Sequence, residues 1–159
     1  GTVGELLNGT APNLPATHSR LEMQCAGCHM QTTNNSTGHT FAVATYQLCL
    51  NCHTDPAGLV NFATNSIALQ IKQTKSYLDY WALMAAPTGL QKYGNNAWEY
   101  TTPGDLSTGT GPSTADQVLI PDDIKKARFN LYLVLYDGSY GVHNAPYDIE
   151  LLQAAQTWV

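Results

Sequence analysis

The chain has 159 residues, a formal net charge of -5 and only 12% charged residues, about half the usual share. Its seven Lys and Arg are scattered over Arg20, Lys72, Lys75, Lys92, Lys125, Lys126 and Arg128, with no run that could follow a phosphate backbone, which argues against nucleic acid as a partner. No stretch of about 18 apolar residues occurs, so no membrane span is expected, and the length suits a single domain.

In chain order, Gly1 to Pro15 is rich in Gly, Asn, Pro and Thr and reads as a poorly periodic arm. It starts without Met and without a charged-then-apolar leader, which suggests a targeting segment already removed. Residues 16–55 carry the same five-residue word twice, Cys25-Ala26-Gly27-Cys28-His29 and Cys49-Leu50-Asn51-Cys52-His53. Cys-x-x-Cys-His is the attachment signature of a c-type haem. Two thiols three positions apart can each bond one vinyl group of a single haem, and the next residue places an imidazole under the iron. His29 and His53 are therefore the expected proximal ligands of two c-type haems, attached through Cys25 and Cys28 and through Cys49 and Cys52. The two words use all 4 cysteines, and each is completed by one of only 5 histidines.

A zinc site is the main competitor, because the cysteines also read C-x2-C-x20-C-x2-C. A four-thiolate site has no use for a histidine after each pair. A dithiol or disulfide reading lacks the strand-helix context of thioredoxin type. With every thiol on haem, the haems rather than disulfides would staple the fold.

Residues 56–159 read as helical. Leu59 to Ala86 contains no Pro or Gly and places Leu59, Phe62, Ala63, Ile67, Ile71, Leu78, Trp81 and Met84 at recurrent spacings of three and four, closed by Pro87 and Gly89. Gly104 to Thr114 reads as a flexible surface loop. Pro121 opens a second helix, with Asp122 and Asp123 near its positive end, which stops at Asp137-Gly138. Lys125, Lys126 and Arg128 read as its solvated face. Pro146 starts a third helix through Leu151, Leu152, Ala155 and Trp158. The expected fold is mainly α: one dihaem domain over 1–159, with an irregular haem-attachment module at 16–55 and about three C-terminal helices at 56–159 that supply a distal ligand.

Each six-coordinate iron needs a second axial ligand, and His18, His39 and His143 remain. Met30 adjoins His29 and cannot reach the opposite face of the same ring, while Met23 and Met84 read as packing residues. The aromatic residues, Trp81, Trp98 and Trp158 among them, read as core and haem-packing residues.

The order His18, Cys25-Ala26-Gly27-Cys28-His29-Met30, Gly38-His39-Thr40-Phe41, Cys49-Leu50-Asn51-Cys52-His53 and Gly141-Val142-His143-Asn144-Ala145-Pro146 resembles the C-terminal haem-pair region of pentahaem ammonia-forming cytochrome c nitrite reductases and related multihaem cytochromes. The resemblance spans most of the chain but rests on short motifs and their order. It implies crossed ligation, His18 pairing with His53 and His143 with His29. His18 also lies too close in sequence to Cys25 to swing easily over the haem tethered there. His39 takes the place of a histidine that in the family reaches a haem bound elsewhere. Here it is a loop histidine, a propionate partner, a local distal ligand, or the ligand of a haem in another subunit, as in extracellular multihaem filaments.

The resemblance further implies a periplasmic or extracellular location, since covalent haem attachment takes place outside the bacterial cytoplasmic membrane. The relatives' catalytic Cys-x-x-Cys-Lys word is absent from the chain, so their activity is not carried over. The expected function is electron transfer through two bis-histidine haems, not enzymatic catalysis, with redox proteins or other copies of the chain as partners. Two alternatives stand beside it: a protomer of a haem wire or piece of a larger multihaem cytochrome, and a small haem enzyme with one open iron, a peroxidase or nitrogen-oxide reductase.

Overall fold

The structure is a computed structural model and describes residues 17–33, 36–37, 42–43 and 45–159. Over these it is mainly helical: a short helix α1 (Gln24–His29) precedes three longer ones, α2 (Pro56–Met84), α3 (Asp122–Asp137) and α4 (Ala145–Trp158). Among the described residues the only strands are β1 (Thr32–Thr33) and β2 (Ser36–Thr37), an antiparallel pair with Thr32 opposite Thr37. The arm at 1–15 lies outside the described residues.

Helix α2 begins at Pro56, earlier than the apolar spacing suggests, because Asp55-Pro56 is a start signal of its own. The Asp55 carboxylate accepts the Gly58 N–H at 2.9 Å, and Pro56 occupies the first turn, where its missing N–H costs nothing. A Cβ on Gly58 would meet the other carboxylate oxygen of Asp55, Oδ2, at 2.1 Å, so a larger residue there would push the capping side chain aside. Ile67, Ile71, Thr74, Leu78 and Trp81 recur at spacings of three and four and form the buried face.

At 29 residues and a rise of ~1.5 Å each, α2 is nearly twice as long as α3 (16 residues) and just over twice as long as α4 (14 residues), so neither can cover it end to end. This corrects the expected stripe. Leu59, Phe62 and Met84 are 49%, 74% and 68% exposed, and Met23, also expected to pack, is 65% exposed.

Helix α3 follows Pro121 in extended conformation, carries Asp122 and Asp123 in its first turn, and ends where Gly138 adopts the left-handed conformation at φ 70°. Helix α4 is capped by Asn144, whose side chain accepts the Tyr147 N–H at 3.4 Å. Inside the α3–α4 contact, buried Asn130 donates from Nδ2 to the Leu151 carbonyl at 3.1 Å. Gln156 of α4 donates to Gln70 and Thr74 of α2, each at 2.9 Å. Trp81 and Trp98 lie in the core that these helices enclose, and Trp158 packs on its edge.

Two surface expectations change. Lys125 and Lys126 do pair outward with Asp122 and Asp123, but Arg128 turns inward to Glu99, whose side chain is fully buried, at 2.9 Å. The 104–114 segment is pinned: Asn96 donates to the Thr108 carbonyl at 2.6 Å, Thr101 donates to the Pro112 carbonyl at 2.9 Å, and Gly111 and Pro112 are buried.

Among the described residues, the core sits in the C-terminal part. Among the residues from 18 to 53 whose side-chain burial is described, none is buried.

Candidate functional site

Both Cys-x-x-Cys-His words are wound into helical turns. The first forms α1, so Cys25 and Cys28, three apart, project from one face and His29 ends the helix. The second lies on a 3-10 turn (Gln47–Asn51), continued by Cys52 and His53, whose N–H groups donate to the Cys49 carbonyl at 3.1 and 2.8 Å. All four thiols are free; Cys25 and Cys52 are exposed, and Cys28 and Cys49 half-buried. Burial pushes the Cys28 thiol pKa up, with further pushes from Cys49 and Cys25, so the end of the first word lies beside the start of the second. Among the described residues, no three His, Cys, Asp or Glu side chains converge as a zinc site needs.

The histidines fall into two facing pairs. The His18 ring, on the 3-10 turn Thr17–Arg20, stands 6.2 Å from that of His53 at an interplanar angle of 85°. The His29 ring stands 6.0 Å from that of His143 at 67°. Two imidazoles bound on opposite sides of one metal, each through a metal–nitrogen bond of about 2 Å with the ring centre about 1 Å beyond, have centroids about 6 Å apart. Both pairs fit that spacing. The pairs join residues 35 and 114 positions apart in sequence (53 minus 18, and 143 minus 29), so neither is a product of local chain geometry. His39 lies outside the described residues.

His143 is set by an unusual turn between α3 and α4. Gly138, Tyr140 and Gly141 all have positive φ, at 70°, 49° and 90°. Gly141 is buried against α2, where a Cβ would meet Ile67 Cγ1 at 2.8 Å, so glycine is needed both for its φ and for the close approach. The turn brings His143 Nδ1 to Asp137 Oδ1 at 2.9 Å and Oδ2 at 3.2 Å. Ser139 donates its hydroxyl to Asp137 Oδ2 and accepts the His143 N–H at 3.2 Å. With Nδ1 held by the carboxylate, Nε2 is the nitrogen left to bind a metal.

Behind the ring, Leu133, Tyr147, Asp148 and Leu151 line a cavity of about 60 Å³. Asp148 is buried there, and its pKa is raised to about 6 by desolvation and then by Asp137. The Asp137 pKa is lowered overall: burial acts upward, but the hydrogen bonds from Ser139 and His143 outweigh it.

No family model, curated protein or solved structure matches the chain. The site therefore rests on its own geometry. Asp137 and Ser139 are the members that sequence reasoning missed: Asp137-Gly138 is legible as a helix stop, but nothing in the pattern says that the stopping carboxylate turns back to His143. Among the described residues, no helix is long and apolar enough to cross a membrane.

Proposed function

We propose that the chain is a dihaem c-type cytochrome that transfers electrons, with one haem attached at Cys25 and Cys28 and ligated by His29 and His143, and the other attached at Cys49 and Cys52 and ligated by His53 and His18. The observation that carries this reading is the pairing of the four described histidines, one from each Cys-x-x-Cys-His word with one distant partner, at the ring separation of opposed axial ligands. When bound, each iron alternates between ferric and ferrous states and so takes up and gives up one electron.

The residues of the chain do the rest. Cys25, Cys28, Cys49 and Cys52 would tether the haems, the pairs His29 with His143 and His53 with His18 would each hold one iron, and Asp137 orients His143. The exposed apolar side chains that flank the words support the reading: Leu21, Met23, Leu48 and Leu50 are 43%, 65%, 46% and 50% exposed. An apolar macrocycle would remove such surface from water at roughly 25 cal/mol per Å². The partners are redox proteins or other copies of the chain, and the location is periplasmic or extracellular.

Expression in a host that matures c-type cytochromes tests this directly. Two covalent haems per chain are expected, low-spin in both redox states and unchanged by cyanide or carbon monoxide. A chain without covalent haem sinks the reading, and a spectrum that responds to carbon monoxide moves the protein to the open-iron enzyme class.

A further inference from the structure

The two irons of the proposed cytochrome are not held alike. His143 has a carboxylate on its Nδ1, Asp137 at 2.9 Å, and that carboxylate is itself fixed by the Ser139 hydroxyl. Among the described residues, neither the His18 ring nor the His53 ring has a hydrogen-bonded carboxylate. A carboxylate that accepts the Nδ1–H of a metal-bound imidazole shifts electron density toward Nε2 and makes it a stronger donor. A stronger donor and a nearby negative charge both favour the ferric iron over the ferrous.

We propose that Asp137 is a positioning and potential-setting residue that makes the His29/His143 haem the lower-potential member of the pair. This rests on the haem reading above. In the half-reduced protein the single electron would then reside mainly on the iron held by His18 and His53 rather than on the one held by His29 and His143. Asp137 acts through His143, whose Nδ1 it holds. Ser139 acts one step further back: its hydroxyl keeps Oδ2 in place, and it accepts the His143 N–H, so the acceptor and the imidazole are located by one side chain.

Spectroelectrochemical titration of the holoprotein tests the assignment, after a pyridine haemochrome count of two haems has secured the reading beneath it. The expected result is two resolved waves. Asp137→Asn should make the lower one easier to reduce by about tenfold in its equilibrium constant, about 59 mV for a one-electron couple, with both haems low-spin and the other wave in place. The wave that moves should be the one displaced when His143→Ala opens that iron. Asp137→Glu, which restores a carboxylate, should return it toward the original value. Should Asp137→Asn lose its low-spin signal, Ser139→Ala decides, with the same direction of shift expected at smaller size. Two full haems with unmoved waves, or equal movement of both, overturn the proposal and leave the cytochrome reading standing. Failure to bind haem overturns both.

Discussion

His143 owes its orientation to the turn that carries it, since it lies between the end of α3 and the capping residue of α4. Three residues in the left-handed region within four positions make a sharp reversal that no ordinary loop sequence would adopt, and Gly141 does so while packed on Ile67. Gly141→Ala should therefore cost about 1–3 kcal/mol of stability, read by denaturant unfolding. A change within a few tenths would mean that the turn relaxes freely. His143→Ala should convert one haem to a high-spin or ligand-accessible form and loosen the α3–α4 junction, read by carbon monoxide binding and far-UV circular dichroism. His39→Ala should leave both haems low-spin, and a high-spin signal in that variant would refute the ligand assignment. The words and the count of spare histidines are legible in the sequence because the proposed covalent attachment would demand fixed residue types at fixed spacing. The Asp137 contact is not, because it depends on how three positive-φ residues bend the chain.

At the scale of elements, the helix boundaries follow local chemistry that the sequence carries openly: Asp55-Pro56, Pro121 with its two aspartates, Gly138, and Asn144 with Pro146. Asp55→Ala should cost about 1 kcal/mol, the usual loss of a capping side chain, with the midpoint of urea unfolding as the readout. Less legible is how the 91–120 connection is fastened, since several of its anchors are polar side chains that meet far apart in sequence, Tyr93 and Asp116 being 23 positions apart. Tyr93 donates to Asp116 at 2.6 Å, Lys92 pairs with it at 3.0 Å and Ser113 donates at 2.9 Å, which together lower the Asp116 pKa to about 2, the Tyr93 bond contributing most. The folded value lies below the unfolded one, so Asp116 contributes stability above the ordinary carboxylate range and loses it as pH falls through about 2. Asp116→Asn should flatten the dependence of the thermal midpoint on pH between about 4 and 2. An unchanged slope would show that other carboxylates govern it.

Glu99 works at the same scale but buried. It accepts from Arg128 at 2.9 Å and from Tyr132, whose phenol is pushed well above its ordinary pKa by burial and by this bond, while the Arg128 guanidinium lies 4.1 Å from the centre of the Tyr100 ring. Removing one partner of a buried pair strands the other, so Glu99→Ala should cost about 3–5 kcal/mol in the same unfolding experiment.

Across the whole molecule, the buried side chains of the described residues fall at 56–159. The helical part encloses Ile67, Leu78, Trp98, Leu131 and Leu151 at 1% exposure or less, whereas no residue from 18 to 53 whose side-chain burial is described is buried. Under the proposed reading, two tethered macrocycles with ligands drawn from both ends of the chain would order this segment. Replacing all four cysteines by serine separates the two contributions, because it removes attachment without touching the helical core. The serine variant should keep most of its helical circular dichroism, since α2, α3 and α4 pack on one another. Limited proteolysis should then cut within 17–53 while leaving a resistant fragment that begins near Pro56, and the holoprotein should resist at both places. Equal resistance of the two forms would mean that the module is ordered without haem. Loss of all helical signal would mean that the His29–His143 link is needed to hold α3 and α4 together, rather than merely being held by them.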